Sequence, residues 1–332
     1  MRTKTDQLAA GVLSTALETI GHVDLTPEPI AGLQATEMWF QPDPSRASRA
    51  KRARLGALGR MTRSACLIEP FRETPSLNRI RDSIGKQLAL DRAQRVALTR
   101  ELAERKNLPP GWLSDPDGPV ASKLLRYRTP PALWLISAGR PRTLLHGTTM
   151  KPMRGWPRGF WRSELPMDAV RLIVLSDLPV NRDTLLLRLL SRGLTFARAV
   201  RQLSTLASTD WTWRIASAPL VALHRHWQRA QAEPAPPDAH PDAHPDEEQD
   251  MSDILKQLDV IYARWEREML QRGAEQGRID ALRDTLETQL EKRFGPLSPA
   301  VQKRLQRARA TTLARWLKYL PDADSAEAVL RR

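Results

Sequence analysis

The chain has 332 residues, 41% apolar and 27% charged, with a formal charge of +14 from 52 basic and 38 acidic side chains. That length suits one large domain with an accessory piece, or two domains, and no uncharged apolar run is long enough to predict a membrane span. One cysteine excludes an internal disulfide framework and fits a cytoplasmic protein, while six scattered histidines lack zinc-finger spacing.

In chain order, the start MRTKTDQLAAGVLSTALETIGHV places Leu8, Val12, Leu13, Leu17 and Ile20 at helical spacing. Asp6 and Glu18 interrupt it, so it reads as an amphipathic helix and not a signal peptide. A short strand is expected around Leu33–Phe40, closed by Pro42 and Pro44. SRASRAKRARLGALGRMTR follows with seven basic residues and no acids, and reads as a short solvated helix or helical loop. SACLIEPF is the next strand, and Pro70 is expected to end its ladder.

Ser76 is a candidate N-cap for a helix running to Lys106, with Leu77, Ile80, Ile84, Leu88 and Leu90 as its apolar stripe. ALWLISAGRP and AVRLIVLSDLP lack alternation, which predicts strands buried on both faces in mid-sheet. Between them lies a Gly/Pro-punctuated loop with Trp156, Phe160 and Trp161. These aromatics are expected to pack the loop on the core, base stacking being the sharper alternative. After Asp183 the pattern is helical.

EPAPPDAHPDAHPDEEQD is a low-complexity acidic linker. It carries seven acids and no Lys or Arg, so without it the net charge rises from +14 to +21. Such an excess favours polyanions through counterion release, against the plainer reading of an arginine-rich coding bias. From Met251 a helix with Leu258, Ile261, Trp265, Met269, Ile279, Leu282, Leu286 and Leu290 is expected to stop at Gly295–Pro296, before another over Ala300–Leu320. Strands alternating with helices predict α/β architecture.

Two acids occupy comparable places on neighbouring apolar segments: Glu37 in ATEMWF and Glu69 in ACLIEPF. Paired carboxylates at adjacent strand ends suit a hard divalent cation such as Mg²⁺, which polarises a phosphate and helps form hydroxide. A nearby lysine stabilises developing charge. In most proteins an acid before proline at a strand end is a solvated turn residue, Glu37 could be the polar side of an edge strand, and Lys86 a helix-surface charge. Cys66 reads as a small core residue. The prolines deny His240 and His244 a helix on which to share a metal. No phosphate-binding glycine loop is present.

MRTKTDQ, ATEMWF, CLIEPF and IGKQLAL together resemble the bacterial Rpn/YhgA-like transposase family of PD-(D/E)XK nucleases. The tail RGAEQGRIDALRDTLETQLEKRFGPLSPAVQKRLQRA, with Gly273, Gly277 and Lys292–Gly295, looks like the helical domain of unknown function found behind such nucleases. The first resemblance covers roughly the first 200 residues and the second about the last quarter. It implies a restriction-endonuclease-like mixed sheet flanked by helices. It also implies a nuclease domain over 1–230, a linker over 231–250 and a helical domain over 251–332.

The resemblance further implies a Mg²⁺-dependent DNA endonuclease, or a catalytically inactive nucleic-acid-binding or self-associating descendant. Glu37 takes the first acid position and Glu69 the second. Two residues after Glu69, where the family carries Lys or Gln, stands Phe71. Lys86 and Gln87 on the following helix are candidate substitutes, with Arg72, Arg79 and Arg81 nearer in sequence. The partners implied are nucleic acid, DNA before RNA, and a second copy through the C-terminal helices, with no membrane.

Overall fold

A computed structural model describes residues 4–24, 38–71, 73–105, 131–147, 150–164, 169–232 and 245–331. Glu37, Arg72, His240 and His244 lie outside the described residues, as do residues 233–244 of the acidic segment.

The strands are β1 (Gly21–Asp24), β2 (Met38–Pro42), β3 (Cys66–Phe71), β4 (Ala132–Ser137), β5 (Met150–Pro152), β6 (Phe160–Ser163) and β7 (Val170–Val174). They form one mixed sheet of seven in the order β1-β2-β3-β4-β7-β6-β5. β3, β4 and β7 run parallel at its centre, and antiparallel strands flank them. β4 is buried at every position, as its unbroken apolar run requires of a central strand. The apolar stretch before Pro179 yields β7 and then a single 3-10 turn, Leu175–Asp177.

The helices of the first unit are α1 (Lys4–Leu17), α2 (Arg46–Ala53), α3 (Ala57–Met61), α4 (Leu77–Arg105), α5 (Arg142–Gly147), α6 (Leu185–Arg188), α7 (Gly193–Ser204) and α8 (Trp211–Ala232). Leu8, Val12, Leu13, Leu17 and Ile20 are all buried, and α1 packs on α8. Leu67 and Phe71 of β3, Leu133 and Leu135 of β4 and Leu172 of β7 form one face of the sheet, covered by Ile80 of α4 and Leu144 and Leu145 of α5. Period two then sends Cys66, Ile68 and Trp134 to the other face.

Several expectations are corrected. β2 runs through Pro42, which pairs with Gly21 of the edge strand β1, a strand not foreseen. Pro70 does not end pairing: it stands opposite Ile136, and β3 continues to Phe71. The Ala138 amide donates to the Phe71 carbonyl at 3.2 Å, so Phe71 turns its backbone towards β4 and Pro70 turns the other way. There the described β2 ladder has already ended at Ile68, and among the described residues no bond needs the N–H that proline lacks.

The basic run is two helices, of which only α2 is solvated. Ala57, Leu58, Gly59 and Met61 of α3 are core. The Gly/Pro loop after β4 holds α5 and the β5–β6 hairpin. On α4, Leu77 and Leu88 are exposed, and the buried stripe is Ile80, Ser83, Gln87 and Asp91.

The remaining helices are α9 (Pro245–Phe294), α10 (Pro299–Arg307), α11 (Ala310–Tyr319) and α12 (Ala326–Arg331). Two compact units divide between Tyr262 and Ala263, inside α9. The start of α9 belongs to the first unit: Ile254, Leu258 and Ile261 are buried, and Asp259 accepts from His224 of α8 at 2.8 Å. The second unit closes its own core with Leu286, Leu290, Val301, Leu305, Leu313, Trp316 and Val329. Gly295 ends α9 at φ +82°. The single helix expected over Ala300–Leu320 is broken in two, because Ala308 and Arg309 take extended backbone.

Candidate active site

Glu69 is not a turn residue. It stands inside β3 between Leu67 and Phe71, on the face that α4 covers, with 6% of its surface exposed. A carboxylate in such surroundings needs compensation, because removing a charge from water costs several kcal/mol. Lys86 supplies it: its Nζ lies 3.8 Å from Glu69 Oε1, with 18% of the lysine side chain exposed. The apolar stem of a lysine can cross packed surface and still deliver its ammonium to one point. Lys86 therefore reaches back from the helix to the strand.

The helix itself is pinned beside this pair. Ser76 caps α4, its Oγ accepting from the Arg79 amide at 3.4 Å. Next to Lys86, the side chain of Gln87 is buried and donates from Nε2 to the Pro131 carbonyl at 2.7 Å, tying α4 to the entry of β4. Arg79 and Arg81 are exposed. Phe71, at the position where the resembled family carries Lys or Gln, is 8% exposed and packs in the apolar cluster.

Glu37 immediately precedes Met38, whose ladder partner is Ile68, the residue before Glu69. Among the described residues no group of three or more His, Cys, Asp or Glu could hold a metal ion. A cleft of about 350 Å³ lies beyond the carboxyl ends of β3 and β4, lined by Thr74, Ser76 and Asn78 at the start of α4 and by Pro141, Thr143 and Leu144 at the start of α5. Glu69 and Lys86 do not line it.

Cys66, three residues before Glu69, faces the opposite layer, and burial pushes its thiol up to about 12. In that layer lies a group that the sequence pattern resolved only as loop packing. Trp156 packs on Phe160 and Trp134, with ring centroids 4.9 and 5.5 Å away, and the guanidinium of Arg60 lies 4.2 Å over its ring. The Arg171 guanidinium lies 4.9 Å over Trp134. The signal for Gln87 was the 80-83-87-91 spacing, masked by the more conspicuous Leu77 and Leu88. For Arg60 there was no local signal, since its partners lie some 95 residues on.

No family model matches this chain, and no curated protein or solved structure gives a match.

Proposed function

We propose that this chain is a nuclease-fold protein whose reaction centre is the Glu69–Lys86 pair, acting as a Mg²⁺-dependent endonuclease on DNA. The observation that carries the reading is the lysine ammonium held 3.8 Å from a strand carboxylate in a mixed α/β sheet. It supplies, from a helix, the cation that Phe71 denies to the strand. In this reading Glu69 and Glu37 would hold the ion, since Mg²⁺ keeps several waters and takes only one or two protein carboxylates. When bound, the ion would act as a Lewis acid on the phosphate and lower the pKa of water. In this reading Lys86 stabilises negative charge on the phosphoryl oxygens, and α4, fixed by Gln87, keeps that ammonium in place.

The test is nicking of supercoiled plasmid by purified full-length protein with Mg²⁺ or Mn²⁺. Glu69→Gln and Glu37→Gln are expected to abolish nicking, and Lys86→Met to slow it by roughly 10²-fold or more, the usual loss for one electrostatic stabiliser. Equal nicking by wild type and Glu69→Ala removes the assignment. Phe71 packed in the core favours a second reading, a catalytically inactive nucleic-acid-binding descendant in which the pair is structural. Nicking absent from the wild type, with binding intact, selects it. Self-association through the C-terminal helices belongs to either reading. Light scattering on the full chain and on residues 1–262 tests it, and equal oligomeric number removes it.

A further inference from the structure

Arginines from distant parts of the sequence gather on the sheet layer opposite Glu69. Residues 45–68 contain no acid, and Arg49 and Arg63 of this stretch are exposed. They crowd Arg52, whose guanidinium pKa is lowered by burial first and by the charges of Arg49 and Arg63 after the opposing pull of Asp43. The β5–β6 hairpin adds Arg154 and Arg158, also exposed. Among the described residues, none of Arg49, Arg63, Arg154 and Arg158 forms an ion pair. The acids placed against these segments are Asp43, which accepts from Ser45 and Ser48 at the start of α2, Asp183 beside Gly56, Asp177 beside Gly159 and paired with Arg140, and Glu164 paired with Lys151.

Arg60 joins the two segments. Its Nη2 donates to the Gly155 carbonyl at 2.8 Å while its guanidinium lies over Trp156. Trp156 in turn rests on the buried Phe160 and Trp134, so the joint is anchored in the core. Such anchoring lowers the entropy lost when a cation meets a phosphate. It also decides the kind of partner. The Trp156 ring is engaged by Arg60, Phe160 and Trp134, which makes it a support for a guanidinium and not a platform for an unpaired base. The recognisable feature left is positive charge on two segments that Arg60 joins, which reads phosphate backbone and not sequence.

We infer that α2–α3 and the β5–β6 hairpin form a duplex nucleic-acid docking surface, built on Arg60 and Trp156 and separate from the Glu69–Lys86 layer. The inference rests on the nucleic-acid part of the function proposed above but not on its chemistry. Strand period places the two layers apart: Trp134 stands opposite Ile68, and Leu135 opposite Glu69.

The experiment is fluorescence anisotropy of the full chain with a labelled mixed-sequence DNA duplex of about 20 base pairs in EDTA, repeated over a range of salt. A variant carrying Arg49→Gln, Arg63→Gln, Arg154→Gln and Arg158→Gln changes only exposed side chains, and circular dichroism checks its fold. The expected result is a salt dependence shallower by roughly 3 to 4 in log–log slope, about 0.9 for each phosphate no longer neutralised. Glu69→Gln is expected to bind as wild type does, and loss of nicking leaves this result unaffected. A wild-type slope in the fourfold variant overturns the inference, as does loss of binding in Glu69→Gln with the arginines intact. Equally tight, arginine-dependent binding of phosphatidylserine vesicles, polyglutamate or a single strand overturns the choice of duplex nucleic acid.

Discussion

Cys66 and Glu69 share one strand and meet opposite fates, because period two puts them on different faces. The Cys66 thiol holds its proton up to about 12 when folded, whereas the unfolded chain releases it in the ordinary thiol range. Its contribution to stability is therefore present at neutral pH and is lost as pH rises between those two values. At pH 8, thiol-reactive reagents should label Cys66 only as fast as the protein opens; native-state labelling at free-thiol rates would contradict that. Lys86 is the more exposed partner of its pair, so its removal should cost less than a fully buried ion pair, about 1–3 kcal/mol by urea unfolding. Adding Glu69→Gln to Lys86→Met should restore part of that, since the stranded carboxylate is gone. The acid was legible in CLIEPF. That its cation comes from seventeen residues away was legible only as one option among several basic side chains.

Between β2 and β3 the chain shows how a local pattern misleads about an element. Asp43 accepts from the hydroxyls of Ser48 and Ser45 and from the Ser45 amide, which with Arg52 nearby holds its carboxyl down to about 2. The lowered value means that this cap is complete above the ordinary aspartate range and is lost as pH falls through about 2. Asp43→Asn should remove that pH dependence from α2 in amide-exchange measurements. The next helix, α3, is basic on paper yet buried, because Gly59 lets it approach the preceding helix. A Cβ there would stand 1.9 Å from the Arg52 carbonyl oxygen. Gly59→Ala should destabilise by about 1–3 kcal/mol through overpacking. Gly273 and Gly277 on α9 have open space around them, so Gly273→Ala should stabilise by about 0.5–1 kcal/mol through helix propensity. Thermal unfolding compares the two, and the same sign for both would refute the distinction.

The division of the whole chain follows burial and not composition. The acidic, proline-rich stretch looks like the boundary, but the helix that follows it contributes Ile254, Leu258 and Ile261 to the first unit before entering the second. Each buried Leu or Ile is worth about 1.5–3 kcal/mol. A chain ended after Tyr262 should therefore melt well above one ended at Asp250, which also loses the His224–Asp259 bond. Equal melting temperatures would place the boundary at the linker after all. Among the described residues no helix is long and apolar enough to cross a membrane.

Apolar runs, caps and breakers were enough to announce α1, β3, α4, β4, β7 and the end of α9, because each depends on interactions within a few residues. They also singled out Glu69 and Lys86 as residues to watch. The β1 edge strand, the β5–β6 hairpin, the burial of α3 and the true face of α4 escaped, since each is fixed by what packs against it. Pairing with a neighbour makes strands of Gly21–Asp24 and Met150–Pro152, which are too short to declare themselves. Contact between side chains remote in sequence brings Lys86 to Glu69 and Arg60 to Trp156, and such contacts exist only once the sheet has ordered the chain in space.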